Sequence, residues 1–407
     1  MRILMIAPQP FFEPRGTPFS EFHRIRALTD LGHHVDLVTY PFGKDVTMRG
    51  LQVFRSLRPP FVQSVQIGPS AAKVPLDALL TLTAIRRALS GSYDVVHSHE
   101  EGGWIGVLLA KLLRVPHLYD MHSSLPQQLS NFAFSGSKVI TGVFAFMERL
   151  MIRGSRVVIV ICPALLDTVR AIDPAARVVL IENAPGSGEG EPTPAQAAAV
   201  RQAHGLAVET PLVLYTGTFE AYQGLALLFA AMAIVKRAHP DARLLLAGGK
   251  PAQVEAAKGQ ARAAGIDDVT IFAGERPAEE IPAYLRAAHA LVSPRSRGTN
   301  TPLKIYQYLR AGRPTVATRL LTHTQVLSDE TAILTEPTPE AFARGIVLAL
   351  VDDAHADAVG RRARELAETK YSYDAYLDKT RQACQALGLT AAPTAPVPDA
   401  SDVKDVA

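Results

Sequence analysis

Ser293–Thr318, SPRSRGTNTPLKIYQYLRAGRPTVAT, decides how this 407-residue chain is read. The apolar run Ala288–Val292 just before it has the composition of a buried strand, and Pro294–Asn300 is a basic loop. Thr301 is then expected as an N-cap with Pro302 at the first helical position, where a missing N–H costs nothing. Leu303, Tyr306 and Leu309 fall on one face of the expected helix, which stops at Gly312 before a second strand, Pro314–Thr318. Strand, loop, short helix and strand in that order gather Arg295, Arg297 and Lys304 around one helix N-terminus. Cations beside unsatisfied backbone N–H groups suit a phosphorylated ligand. The plainer reading is a surface βαβ unit whose arginines are solvated.

The same alternation runs through the rest of the chain. Ile3–Ala7, Val35–Thr39, Leu51–Arg55, Val95–Ser98, His117–Tyr119 and Val157–Ile161 read as strands in the first half. Leu212–Tyr215, Arg243–Ala247, Thr270–Phe272, Ala290–Val292, Thr315–Ala317 and Ala332–Leu334 do so in the second. Helix-length segments such as Ser20–Leu31 and Leu76–Ala88 separate several of them, which is the pattern of an α/β chain with parallel, doubly wound sheets. The length suits two domains. Between the halves, Ala184–Gln196 (APGSGEGEPTPAQ) lacks periodicity and reads as a linker. The expected division is an N-terminal domain over 1–184, a linker over 185–205, a C-terminal domain over 206–370 and a disordered tail over 389–407.

Composition narrows the function classes. Hydrophobic residues at 48% and charged ones at 20% are ordinary for a globular chain. A net charge of +3 with no basic stripe interleaved with aromatics argues against nucleic acid as a partner. Cys162 and Cys384 are far apart and have no CxxC spacing, so they read as inert thiols in a reducing, cytoplasmic compartment. MRILMIAPQP is too short for a signal-peptide core and reads as a first strand. The longest uncharged apolar run, Val157–Leu166, is about half of what a membrane-spanning helix needs. Lys138–Arg156 mixes Phe144, Phe146, Met147 and Leu150 with Lys138, Arg149, Arg153 and Arg156. It is either a core-facing amphipathic helix, the plainer reading, or a peripheral contact at the inner face of a membrane. Leu57–Lys73 is similarly open between a guide for a lipid-linked acceptor and a plain loop.

TPLKIYQYLRAGRPTVAT resembles the C-terminal signature of family 4 glycosyltransferases (the glycosyl transferases group 1 type), enzymes of the GT-B fold. The resemblance implies two Rossmann-like domains facing across a cleft, the C-terminal one binding a nucleotide sugar, with a last helix, here within 371–388, crossing back onto the first domain. It further implies a hexosyltransferase of polysaccharide or glycolipid biosynthesis. The donor would be a UDP- or GDP-linked sugar and the acceptor a saccharide or a lipid-linked one. Retention of anomeric configuration is expected, without metal or any cofactor besides the co-substrate.

The resemblance also assigns residues. PQPFFEPRGTPFSEFHRIRAL, with Gly16 before a helix capped by Thr17 or Ser20, and LGHHVDLVTY resemble the family's first glycine loop and the strand that follows. The usual pair of glycines is Arg15-Gly16 here. His122, in LYDMHSSLPQQ, occupies the place of a histidine that contacts the donor sugar. LVLYTGTFEAYQGLALLFAAM resembles the diphosphate-binding segment around Gly217, but Thr218 and Gln223 stand where an Arg and a Lys are usual. Thr299 and Gln307 replace a pair of glutamates, Gln307 keeping an acceptor for ribose, and Asn300 and Thr301 add polar groups. In FAGER, Arg276 lies in the turn expected beside the nucleobase, and Arg297 joins the donor set. Arg295 and Lys304 are then left to stabilise the leaving diphosphate, with His122 at the reacting centre. The same losses support a non-catalytic partner or scaffold. A sugar-nucleotide epimerase using Asp120, His122, Glu100 and Glu101 is the more distant alternative. His97 and His99 lack zinc-site spacing, and His97 shares a strand face with Val95, so no metal is expected.

Overall fold

The computed structural model describes residues 1–13, 16–63, 65, 70, 73–127, 138–182 and 191–388. Arg15, much of Leu57–Lys73, most of the linker's first half and the whole expected tail therefore lie outside the described residues. The chain divides into two compact units, Met1–Glu182 with Tyr376–Ala407, and Asn183–Ala375.

The first unit is built on a seven-stranded parallel sheet in the order β3-β2-β1-β4-β5-β6-β7. Its strands are β1 (Arg2–Ala7), β2 (His34–Thr39), β3 (Leu51–Arg55), β4 (Val95–His99), β5 (His117–Met121), β6 (Val157–Val160) and β7 (Val178–Leu180). Helices cover both faces of such a sheet, so β4, β5 and β6 are buried at every residue; β6 is apolar throughout, while β4 and β5 also carry His97, Ser98, His99, His117 and Asp120. The order reverses between β1 and β4, and ligands of open α/β sheets bind beyond the strand ends at such a point. The last helix, Tyr373–Ala386, is tied to this unit: Arg24 Nη1 donates to Thr380 Oγ1 at 3.0 Å, and Lys379 Nζ reaches Glu182 at 2.5 Å.

The second unit holds a six-stranded parallel sheet, order β10-β9-β8-β11-β12-β13, with its reversal between β8 and β11. These strands are β8 (Leu212–Thr216), β9 (Arg243–Ala247), β10 (Thr270–Gly274), β11 (Ala290–Ser293), β12 (Thr315–Thr318) and β13 (Ile333–Thr335). Ala221–Ala238 is long and apolar enough by composition to cross a bilayer. Within it, however, Leu228, Phe229, Met232 and Val235 of helix Leu225–Ala238 are buried against β8 and β9 in the core.

Four local expectations are corrected. The first helix begins at Gly16, so Thr17 and Ser20 lie inside it and cap nothing. The helix after β11 runs Lys304–Ala311, with Leu303 rather than Thr301 at its N-cap position. Part of the expected linker is a helix, Pro194–Ala203, closed by a reciprocal box in which Gln196 N donates to Thr193 Oγ1 and Thr193 N to Gln196 Oε1. Finally, helix Lys138–Arg153 does not face the core along its length, since it buries only Glu148, Met151 and Ile152.

Helix Lys304–Ala311 ends as expected at Gly312, whose φ of 63° lets its N–H donate to Leu309 O at 3.1 Å. The nearest atom to a Cβ there is 3.5 Å away, so backbone strain alone opposes a side chain. Gly312→Ala should lower stability by about 1–2 kcal/mol in urea titration. A neutral result would mean the left-handed cap is not what stops this helix.

Candidate functional site

The carboxyl ends of β8, β9 and β10 carry glycines at positive φ: Gly217 at 126°, Gly248 at 130° and Gly274 at 70°. They are stacked, Gly217 N donating to Ala247 O at 3.0 Å and Gly248 N to Gly274 O at 2.7 Å. A Cβ on Gly248 would come within 2.0 Å of Gly217 O, so close approach of backbone to backbone requires glycine here. After Gly217 the chain makes a turn, Ala221–Gln223, and enters helix Leu225–Ala238 through Gly224. A Cβ on Gly224 would meet Pro294 O at 1.9 Å, and Ser296 N donates to Tyr222 O at 3.1 Å. Thus the loops after β8 and β11 are knit into one surface.

Lys304 is the first residue of its helix, and its ammonium is directed at the end of β8. Its Nζ lies 3.8 Å from the Tyr215 ring centroid and 3.1 Å from where a Gly217 Cβ would stand. The side chain is buried, and Nζ has no hydrogen-bond partner among the described residues. Burial, and then the charge of Arg295, hold this amine well below the ordinary lysine range. The helix is pinned to the strand by Tyr308, whose hydroxyl accepts from Thr216 N at 3.0 Å. Thr301 Oγ1 and Gln223 Oε1 are also buried and have no hydrogen-bond partner among the described residues. Three polar groups left unsatisfied around one loop cluster are costly unless a ligand completes them.

Arg295 takes a different part from the one expected. Its guanidinium donates to Asn300 O at 2.9 Å, to Arg297 O at 3.1 Å and to Thr322 Oγ1 at 3.2 Å, and it lies 5.0 Å over the Tyr222 ring. It shapes the loop, while its charge still acts on Lys304. Arg297 is exposed and contributes its carbonyl to that network. Thr299 O accepts from Gln325 Nε2 at 2.6 Å, and Asn300 O accepts from Thr322 Oγ1 at 2.6 Å. Gln307 is half-buried one turn along the helix from Lys304, and Thr218 is half-buried beside Gly217. Arg276 is exposed after β10 and paired with Glu280 at 3.3 Å. Sequence reasoning missed Gly248, Tyr222 and Thr322. The pair Gly248-Gly249 directly after an apolar strand was the one signal that could have pointed there.

In the first unit, Gly16 is exposed at the start of its helix with φ 52° and no atom within 4 Å of a Cβ. His122 is buried in a polar cluster at the ends of β4 and β5. Its Nε2 lies 3.0 Å from His99 Nδ1 and 3.4 Å from Asp120 Oδ1. His97 Nε2 is 3.7 Å from Asp120 Oδ2, which accepts from Arg24 Nε at 2.8 Å. Burial pushes all three histidines below their ordinary range, whereas Asp120 is held well below its own by Arg24 despite burial. His97, His99 and Asp120 offer ligand atoms within 4.8 Å of one another. The guanidinium already on Asp120 would oppose a dication there, so the cluster reads as neutral imidazoles around a buried ion pair. Glu100, at φ 46°, accepts from Ser123 Oγ at 2.9 Å and is pushed up to about 8 by burial.

Residues 23–184 match the family described as Glycosyl transferase 4-like domain, and residues 197–366 match Glycosyl transferases group 1. The chain is 28% identical to alpha-D-kanosaminyltransferase of Streptomyces kanamyceticus over 305 residues, covering 72% of this chain and 78% of that protein. It is 25% identical to the D-inositol 3-phosphate glycosyltransferase of Acidothermus cellulolyticus, over 80% of this chain and 76% of that one. Among solved structures, sucrose-phosphate synthase from Thermosynechococcus elongatus superposes with a TM-score of 0.77 at 22% identity, over 95% of this chain and 99% of that one. Anabaena HepE in complex with UDP-glucose gives 0.72 at 17% identity, again over 95% and 99%. With both halves matched and both sheets wound as in GT-B enzymes, this chain belongs to the group 1, family 4-type glycosyltransferases.

Proposed function

We propose that this protein transfers a sugar from a UDP- or GDP-linked donor to a saccharide or lipid-linked acceptor, with retention and without a divalent metal. The observation that carries the reading is the buried, partnerless amine of Lys304 beside Gly217 and a helix start. A diphosphate would supply the missing acceptor, and the lysine would take up a proton as the anion arrives. Charge grows on that leaving group as the bond to the sugar breaks, so the same contact strengthens in the transition state. Phosphate oxygens would accept from the hydroxyls of Thr301 and Thr218 and from the amide N–H of Gln223, with Gln307 proposed for the ribose, Arg276 near the base, and Thr299 and Asn300 for the sugar. UDP as the nucleotide is supported by the shared fold of Anabaena HepE, which was solved with UDP-glucose. Retention rests on the resemblance to family 4. His122 and Gly16 are proposed as contacts from the first unit, His122 as the group nearest the sugar.

The scaffold reading keeps one observation in its favour: uncharged Thr218, Gln223, Thr299 and Gln307 stand where the resembled family has charged residues. Binding and turnover separate the two. UDP and GDP are titrated by calorimetry, and a panel of nucleotide sugars is then assayed for donor consumption in the presence of EDTA. Binding with donor consumption that survives the chelator is expected. Binding with no consumption of any donor would favour the scaffold, and activity abolished by EDTA and restored by a divalent cation would remove the metal-free claim.

A further inference from the structure

Two neighbouring helices of the first unit display apolar side chains that its core does not use. Helices Gly103–Leu113 and Lys138–Arg153 touch: a Cβ on Gly103 would come within 2.5 Å of Met151 Sδ, and one on Gly154 within 2.8 Å of Val107 Cγ1. On the second helix, Val139, Val143, Phe146 and Leu150 follow the alternating four- and three-residue spacing that aligns side chains along one face. All four are exposed, Val139 by 75% and Phe146 by 65%. Leu108 and Leu112, one turn apart on the first helix, are exposed as well. Scattered apolar residues on a surface need no explanation, but a group on two touching helices marks a place where something binds.

Charge decides what binds. Lys111, Arg114, Lys138, Arg149, Arg153 and Arg156 are all exposed on these helices or at their ends. The acids between Gly103 and Arg156 are Asp120 and Glu148, and both are buried. Glu148 accepts from Leu125 N at 2.8 Å and Ser124 Oγ at 3.3 Å, so it is turned away from this surface. A second copy of the chain docking through the same patch would set cation against cation, because a two-fold interface pairs a surface with itself. A bilayer bearing anionic headgroups meets both features at once, taking the apolar stripe at the headgroup boundary and the cations at the phosphates. From this pairing of stripe and charge we infer that helices Gly103–Leu113 and Lys138–Arg153 seat the first unit on an anionic membrane surface. The stripe and its cations belong to the first unit and Lys304 to the second, and no part of the proposed reaction enters the argument, so this inference does not rest on it.

The test is co-sedimentation of the full chain with vesicles of phosphatidylcholine alone and of phosphatidylcholine with about one third phosphatidylglycerol. Binding to the anionic vesicles only, weakened by added salt, is expected. Lys111→Glu with Arg149→Glu should lower that binding at least about 20-fold, since each cation near such a surface contributes about 5-fold. Val143→Glu with Phe146→Glu should abolish it. Unchanged UDP affinity and melting temperature in these variants show that the fold and the donor site survive. The inference is overturned if the wild type ignores anionic vesicles or if the variants bind as well as it does. It is also overturned if the patch proves to join two copies in solution, with Phe146→Glu converting a dimer to monomer.

Discussion

Lys304→Ala is expected to weaken UDP binding by about 1.5–3 kcal/mol, roughly 10- to 150-fold, as for other hydrogen bonds to charged groups. Turnover should fall at least as far, because the leaving phosphate gains charge in the transition state. The free protein should melt no lower than wild type, and the sign follows from linkage. The folded-state lysine lies well below its ordinary range, so the unfolded chain binds this proton more readily at neutral pH. The lysine therefore costs stability there, and the cost shrinks as pH rises toward the unfolded value. Any gain from Lys304→Ala should accordingly be largest near neutral pH and fade at alkaline pH. Calorimetry of UDP binding in buffers of different protonation enthalpy should show net proton uptake in wild type and less in the mutant. Equal UDP affinity in the two proteins would mean that the diphosphate is held elsewhere.

Arg24→Met should lower the stability of the first unit by about 3–5 kcal/mol, the cost of leaving one member of a buried ion pair alone. Asp120 and Arg24 are both fully enclosed, and the carboxylate has three histidines around it that burial keeps neutral. Adding Asp120→Asn to Arg24→Met should recover part of the loss, since the uncompensated charge is then gone. Urea titration of the single and double mutants measures both, and an Arg24→Met protein within about 1 kcal/mol of wild type would show that the pair does not hold this core. Other buried histidines, in both units, add a pH dependence of defined sign. His23 and His323 are lowered to about 4 and His117 to about 3, all by burial first. Below the unfolded value near 6.5 the unfolded chain binds these protons and the folded one does not. Stability should fall as pH drops from about 6.5 toward 4, by up to about 1.4 kcal/mol per pH unit for each such histidine. Asp120 contributes in the same direction but lower, its stabilisation being lost only as pH falls below the ordinary carboxylate range toward its own depressed value.

Most of the architecture was legible because parallel strands buried on both faces are mostly apolar. Leu51–Arg55 and Arg243–Ala247 coincide with observed strands, and the other expected strands differ only at their ends. Val178–Leu180 escaped although it opens a four-residue apolar run, Val178–Ile181, because the strand itself is only three residues long and half-buried. The box at Thr193 and Gln196 was present in the sequence but hidden in a Gly- and Pro-rich stretch. At the site, Lys304 and Gly217 could be named in advance, since a glycine after a strand and a cation at a helix start are local signals. The start of that helix could not, because burial of Thr301 and the packing of Ile305, Tyr306 and Leu309 set where it begins.

Local order along the chain by itself determined two doubly wound parallel sheets and a glycine after a strand with a lysine at a helix start. Tertiary structure decided what each polar group does. Arg295, a phosphate ligand on local reading, donates through Nε and Nη1 to Arg297, Asn300 and Thr322. Arg24 finds Asp120 across 96 positions of sequence, and the histidines of DVVHSHEE and LYDMHSS become neutral because neighbouring strands enclose them. The physical reason is range. Strand and turn preferences are set within a few residues and leave a periodic trace, whereas desolvation and ion pairing depend on which side chains the fold brings within a few ångströms.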